Sequence, residues 1–544
     1  MKPLTTSFRP REETVDLVEE TVGALLVQRA DEVPDRDAII DVAHDASLVR
    51  LTYGQLLDEA RRVAAALAAI TEPGDFVALW APNVIEWPIV KYGAALAGVV
   101  LVALNPVLRE PELEYALRHS GARVLIHAER SRGYEMAPVA RAVASRCENL
   151  RHPISLDDRA AWRGEYAANP AEREPTDAGD PVMLQYTSGT TGNPKGVLLR
   201  HRSLVNVSRL TLDAVGVASG TTAVNPLPMF HTAGCVISTL GPLWIAGTVV
   251  LIEKFEPDSV LAVMRAENAR VLFYVPTILG ALIAAQRAAT EPAPQLHTIM
   301  GGASNVPAAI IEEAGEIFGA SVINLFGQTE LAPVLTATRP TDSRHDQPDT
   351  VGRPLPQVDC AIIDPDTGEI VPVEVPGEIC ARGYQQMIGY LNDPAATARA
   401  VDADRFLHTG DLGSMDDRGH LRITGRIKDL VIRGRENIAP LEIEECLARH
   451  GDVESVAVFG VPDDHCGEVL AAALSSRHTP DAAFHDDLLT YCRTHLAPHK
   501  VPAHWYAVDE LPVTPTGKVQ RFKFQELAGR SGHDEDLLKL NTRG

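Results

Sequence analysis

Short, uninterrupted apolar runs alternate with amphipathic helical patterns through the first three-quarters of the chain. Phe76 to Ala81 (FVALWA), Val99 to Leu104 (VVLVAL), Arg123 to Ala128 (RVLIHA) and Thr248 to Ile252 (TVVLI) each read as a buried strand. Gln55 to Ile70 puts Leu56, Ala60, Val63, Ala64 and Leu67 on one helical face, and Ser259 to Ala269 (SVLAVMRAENA) repeats that signal. Buried strands separated by helices demand parallel sheets covered on both faces. The last third differs: Arg449 to Asp463 (RHGDVESVAVFGVPD) and His499 to Pro512 (HKVPAHWYAVDELP) suggest a smaller α+β unit. The expected fold is α/β, with a large N-terminal domain of doubly wound sheets and a small α+β C-terminal domain. The polar tail, 529–544, reads as disordered.

At 544 residues the chain exceeds a single core, and about 150 residues per domain suggests roughly three to four units, some fused. A formal net charge of -23 argues against a general nucleic-acid or anionic-membrane binder, which needs a basic surface. Seven cysteines without a C-x-x-C pair suggest neither a zinc knuckle nor a disulfide framework. They fit a reducing compartment, and a cytoplasmic location is expected. The first twenty residues lack the apolar core of a signal peptide. Gly234 to Ile252 is apolar enough to resemble a membrane span, but its three glycines and Pro242 make a buried core segment the better reading. No H-e-x-x-H pattern occurs, so catalytic zinc is not expected.

Directly after the strand-like Val182 to Tyr186 (VMLQY) comes YTSGTTGNPKGV, Tyr186 to Val197. Glycines at a strand end allow close backbone approach to a ligand, and successive N–H groups there form an anion-binding nest. Thr187, Ser188, Thr190 and Thr191 add hydroxyl donors beside Gly189 and Gly192, and Lys195 adds a point charge. Such a stretch suits a polyphosphate. It departs from the usual P-loop, because Pro194 precedes the lysine and Gly196 follows it.

This stretch closely resembles the phosphate loop of the ANL adenylate-forming enzymes, a family of acyl- and aryl-CoA synthetases, peptide-synthetase adenylation domains and luciferases. Five further motifs follow in the family's order: PMFHTAG (Pro228–Gly234), FGQTE (Phe326–Glu330), HTGDLG (His408–Gly413), GRIKDLVIRGRENIAP (Gly425–Pro440) and PTGKVQR (Pro515–Arg521). The resemblance covers nearly the whole chain. It implies attack of a carboxylate on the α-phosphate of ATP, followed by displacement of AMP, usually by the thiol of CoA.

The resemblance also implies the roles. Thr329 would contact the α-phosphate and Glu330 would hold Mg²⁺, a cation that prefers one or two carboxylates plus phosphate oxygens. Phe326 would stack on adenine, in place of a frequent tyrosine. Gly301, Gly302, Ala303 and Ser304 would line the pocket and the adenine site. Asp411 would accept hydrogen bonds from the ribose hydroxyls, with Arg426 as a second ribose contact. Lys518 would reach carboxylate and α-phosphate oxygens, stabilising developing charge. Lys428 would be the hinge, dividing an adenylation domain at 1–426 from a mobile C-terminal domain at 427–544. His231, Thr232 and Leu325 would shape the acyl pocket; His231 stands where amino-acid-activating relatives carry Asp.

One position departs from the pattern. Most thioester-forming relatives carry a glycine pair where this chain has Gly434 and Arg435, at the edge of the tunnel that admits pantetheine. Either the arginine swings out to meet a CoA phosphate, or the tunnel narrows and CoA is not the acceptor. Three readings follow: a CoA ligase for fatty or aryl acids; an adenylating enzyme with another acceptor, such as nitrite activation for aryl-amine diazotisation or amide formation; and a non-catalytic nucleotide binder. The retained Lys195, Glu330, Asp411 and Lys518 argue against the third.

Overall fold

The apolar runs pair in parallel in a computed structural model that describes residues 3–43, 47–163, 177–187, 194–302, 306, 308–343, 346–433, 436–463, 466–477, 481–513, 519–531 and 538–539. The chain forms two units. The larger comprises Arg9–Cys360 and Ala381–Leu407; the smaller comprises Met1–Phe8, Ala361–Cys380 and His408–Gly544.

In the larger unit, one sheet has the order Gly389–Tyr390, Lys195–Arg200, Pro181–Thr187, Val100–Leu104, Phe76–Trp80, Val124–His127, His152–Ser155. From Pro181–Thr187 onward its neighbours run parallel. Lys195–Arg200 and Gly389–Tyr390 add antiparallel pairs at the edge. A second sheet runs Arg353–Pro354, Thr336–Ala337, Ser321–Phe326, Thr298–Gly302, Val271–Tyr274, Thr222–Asn225, Thr248–Ile252, Asp37–Val42, Leu48–Thr52. Its strands from Ser321–Phe326 to Asp37–Val42 are parallel. Ligands of open parallel sheets gather outside the carboxyl ends of such strands. In this sheet those ends include Asn225, Gly302 and Phe326.

The helical pattern after Thr52 is the helix Tyr53–Ala68, started by a reciprocal cap between Thr52 and Gln55. Leu56, Ala60, Val63 and Leu67 are buried as expected, while Ala64 is only half-buried. The apolar stretch from Gly234 is core: a π-helical turn Ala233–Ile237, the helix Ser238–Trp244 and the buried strand Thr248–Ile252. Among the described residues no helix is long and apolar enough to cross a membrane.

Most of a third sheet, in the order Phe8–Arg9, Val358–Ile363, Gly377–Gly383, Leu407–Met415, Leu421–Arg426, falls in the smaller unit. The last strand ends at Arg426, and a 3-10 turn, Ile427–Asp429, leads into Val431–Arg433. A further sheet pairs Val453–Asp463 with Gly467–Ser476 and has helices on both faces. On one face Val431, Ile443, Leu447 and Trp505 pack together; on the other Phe459 stacks on Tyr506 and on Phe524, with ring centroids 6.2 and 5.7 Å apart. The tail expected to be disordered is partly built in: Gly529–Ser531 finishes the helix Arg521–Ser531, and Leu538–Lys539 pairs in parallel with Tyr506–Ala507. The backbone pairing of two residues was not visible in a polar composition.

Phe524 is fully buried, so Phe524→Ala is expected to destabilise this second core by about 3–5 kcal/mol. Hydrogen exchange checks it: amides of Val453–Asp463 should lose protection, and unchanged protection would contradict the packing account.

Candidate functional site

Pro181–Thr187 and Lys195–Arg200 form an antiparallel pair in which Thr187 faces Lys195 and Tyr186 faces Gly196. The stems of the glycine-rich stretch are therefore side by side, while Ser188, Gly189, Thr190, Thr191 and Gly192 lie outside the described residues. The helix Glu110–Ser120 braces both stems. The Tyr186 hydroxyl donates to Ala116 O at 2.9 Å, and the Tyr115 hydroxyl donates to Pro194 O at 2.9 Å. His119 stacks on Tyr115 at 5.4 Å and meets the edge of Tyr186 at 5.7 Å. Burial pushes the Tyr186 phenol up, so it stays a donor.

Lys195 Nζ lies 4.6 Å from the centre of the Tyr390 ring, and the Tyr390 hydroxyl donates to Glu330 Oε1 at 2.8 Å. The backbone fixes this triple. Tyr390 is in register with Val197 on the strand of Lys195, and Leu391 N–H donates to Gly196 O at 2.8 Å. Met387 N–H donates to Glu330 O at 2.9 Å. Burial first, and then the Glu330 charge, raise the Tyr390 phenol well above its ordinary range, so it is held as a protonated donor. Sequence reading missed Tyr390. Its only signal is Gly-Tyr just before Asp393, which caps the short helix Pro394–Ala400.

Thr329 and Glu330 occupy a buried 3-10 turn three residues beyond the strand Ser321–Phe326. A buried carboxylate with one oxygen held by a phenol is a donor set that suits a hard divalent cation. Leu325 and Phe326 end that strand, and Leu325 pairs with Gly302. Gly301 is forced by close approach: a Cβ there would lie 1.9 Å from Tyr274 O. Ala303 and Ser304 lie outside the described residues. His231 and Thr232 sit on a separate element, before the π-helical turn. His231 Nδ1 accepts from Ala233 N–H at 3.2 Å, and the fully buried Thr232 hydroxyl has no hydrogen-bond partner.

In the smaller unit, Asp411 pairs in register with Arg426, and Arg426 Nε meets Asp411 Oδ1 at 2.7 Å. Both expected ribose contacts thus belong to one ion pair. The turn before Asp411 hangs on Glu378, also missed from sequence because one glutamate in a strand carries no signal. Glu378 Oε1 accepts from Gly410 N–H at 2.9 Å, and Oε2 lies 2.7 Å from His408 Nδ1. Gly410 has φ +73, a left-handed conformation that favours glycine. Thr409 Oγ1 donates to Ile379 O at 2.7 Å and accepts from Asp411 N–H at 3.1 Å.

Lys428 lies in the turn after Arg426, its ammonium shifted down by burial first and by the Arg426 charge second. Gly434 and Arg435 lie outside the described residues, between strands that place Arg433 opposite Glu436. Lys518 also lies outside them. Its flanks are anchored by a bridge between Val513 and Val519 and by Arg521, which grips Glu444 through two 2.7 Å bonds.

Residues 26–391 match the family model described as AMP-binding enzyme, and residues 442–518 match the AMP-binding enzyme C-terminal domain. The putative acyl-CoA synthetase YngI of Bacillus subtilis is 34% identical over 94% of this chain and 97% of that protein. Rattus norvegicus mitochondrial medium-chain acyl-CoA ligase ACSF2 is 30% identical over 94% of this chain and 88% of that protein. Among solved structures, o-succinylbenzoate CoA synthetase (MenE) from Bacillus subtilis, in complex with the acyl-adenylate intermediate OSB-AMP, superposes with TM-score 0.81 at 28% identity, covering 94% of this chain and 99% of that one.

Glu378→Ala removes the acceptor of two donors around Asp411 and is expected to weaken adenosine-nucleotide affinity about tenfold, the scale of a hydrogen bond to a charged group. Calorimetric titration with AMP reads it, and unchanged affinity would contradict the role given to Glu378.

Proposed function

The chain belongs to the AMP-binding, adenylate-forming enzymes of the ANL superfamily, and from that premise we propose that it is an ATP-dependent, AMP-forming ligase that joins a carboxylic acid to CoA. The observation that carries the reading is the pairing of Lys195 and Glu330 through Tyr390, beside the stems of the glycine-rich stretch. It offers an ammonium for phosphate oxygens and a carboxylate for the divalent cation that accompanies them. The relatives matched along nearly their whole length are named for CoA ligation, which favours CoA over nitrite or an amine as partner of the acyl group. Medium-chain or aryl acids are the substrate class to try first.

In the first half-reaction a carboxylate oxygen bonds to the α-phosphorus of ATP as the bond to pyrophosphate breaks. Lys195 orients phosphate oxygens, and Thr329 and Lys518 contact the α-phosphoryl oxygens, where charge develops. Mg²⁺, when held through Glu330, supplies neutralisation of phosphate charge. Asp411 accepts from the ribose hydroxyls, with Arg426 fixing one of its oxygens. In the second half-reaction the CoA sulfur, having given up its proton, bonds to the acyl carbon and AMP leaves. Lys428, in the turn after Arg426, would be the pivot about which residues 427–544 move between the two steps. Seven free thiols, six of them buried, suit a reducing compartment such as the cytoplasm.

Incubation with ATP, Mg²⁺ and a panel of medium-chain and aryl acids, with and without CoA, tests the reading by mass spectrometry. AMP and an acyl-CoA are expected. AMP formation indifferent to CoA, or a diazonium product from nitrite and an aryl amine, would contradict the acceptor. Lys518→Ala should slow pyrophosphate release at least ~10²-fold, the scale of one lost electrostatic contact; near-normal release would remove Lys518 from the mechanism.

A further inference from the structure

Lys195 and Glu330 carry opposite charges, both touch Tyr390, and they do not pair with each other. The ammonium takes the ring face, at 4.6 Å from its centre. The carboxylate takes the hydroxyl, at 2.8 Å. We propose that Tyr390 is a positioning residue that keeps the two charges apart, so that each is free to meet the nucleotide. The proposal rests on the reading of this site as one for a nucleotide and its cation.

The physics favours such a separator. Glu330 is buried and Tyr390 half-buried, and in such surroundings opposite charges attract far more strongly than in water. A direct Lys195–Glu330 ion pair would neutralise both groups and would have to be broken each time a nucleotide binds. A ring face attracts an ammonium more weakly, and that contact yields readily to a phosphate. A neutral phenol hydroxyl likewise aims a carboxylate without cancelling its charge.

The backbone places Tyr390 independently of its side chain. Gly389–Tyr390 pairs with Leu198 and Val197, Tyr390 N–H donates to Thr397 Oγ1 at 2.9 Å, and Met387 N–H holds the carbonyl of Glu330. Substitution at 390 therefore changes the contacts of Lys195 and Glu330 while leaving the segment anchored.

The test is a rescue measured as equilibrium binding, by calorimetric titration of the full-length protein with α,β-methylene-ATP in excess EDTA. Without a divalent cation, affinity reports on Lys195. Tyr390→Phe keeps the ring and releases the carboxylate; capture of Lys195 by Glu330 should then weaken binding about tenfold, the size of one charge-assisted contact. Tyr390→Phe combined with Glu330→Gln should restore the affinity of Glu330→Gln alone, because no carboxylate remains to capture the lysine. Two results would overturn the proposal: Tyr390→Phe binding like the parent, or a double variant as weak as Tyr390→Phe. The second would mean that the phenol merely supports the local structure. Failure of the parent protein to bind the analogue, with or without Mg²⁺, would instead overturn the nucleotide reading of the site, and this proposal with it.

Discussion

The antiparallel pair formed by Pro181–Thr187 and Lys195–Arg200 sets the geometry on which the larger unit's site depends. Pro181–Thr187 continues a parallel sheet, so its carboxyl end points where ligands of such sheets bind. Turning back beside itself, the chain delivers Lys195 opposite Thr187 instead of carrying it away on a crossover helix. The returning strand then offers its free edge to Gly389–Tyr390, which brings the phenol under the ammonium. A one-residue slip in either pairing would turn these side chains to the opposite face.

Around that pair, the surroundings tune donors and acceptors more than they add charge. Burial keeps the phenols of Tyr186 and Tyr390 protonated, so one braces the stem of the glycine-rich stretch and the other aims a carboxylate. The same device recurs in the smaller unit, where Glu378 spends both oxygens on the turn that precedes Asp411. In each case a group that does not itself look like a binding residue fixes the orientation of one that does.

The parallel sheets were legible in the sequence because a strand buried on both faces must be apolar along its length, as at Phe76–Trp80 and Thr248–Ile252. The glycine-rich stretch draws attention for a different reason: clustered glycine, hydroxyl and lysine suit an anion, and the structure describes only its two stems, side by side. Tyr390 and Glu378 were not legible. Each acts through a strand register that joins distant segments, Tyr390 with Val197 and the Glu378 strand with Leu407–Met415. The pairing of Asp411 with Arg426 is hidden in the same way, since the sequence alone sets each apart as a separate expected ribose contact.

In the chemistry proposed for this site, a carboxylate oxygen attacks the α-phosphorus of ATP. Following a carboxylic acid labelled with ¹⁸O in both carboxyl oxygens through one round of turnover tests it most directly. With the acid converted fastest, one ¹⁸O is expected in the phosphate of AMP and none in pyrophosphate. Unlabelled AMP alongside labelled pyrophosphate or phosphate would mean attack at another phosphorus, and would contradict the mechanism assigned to this site.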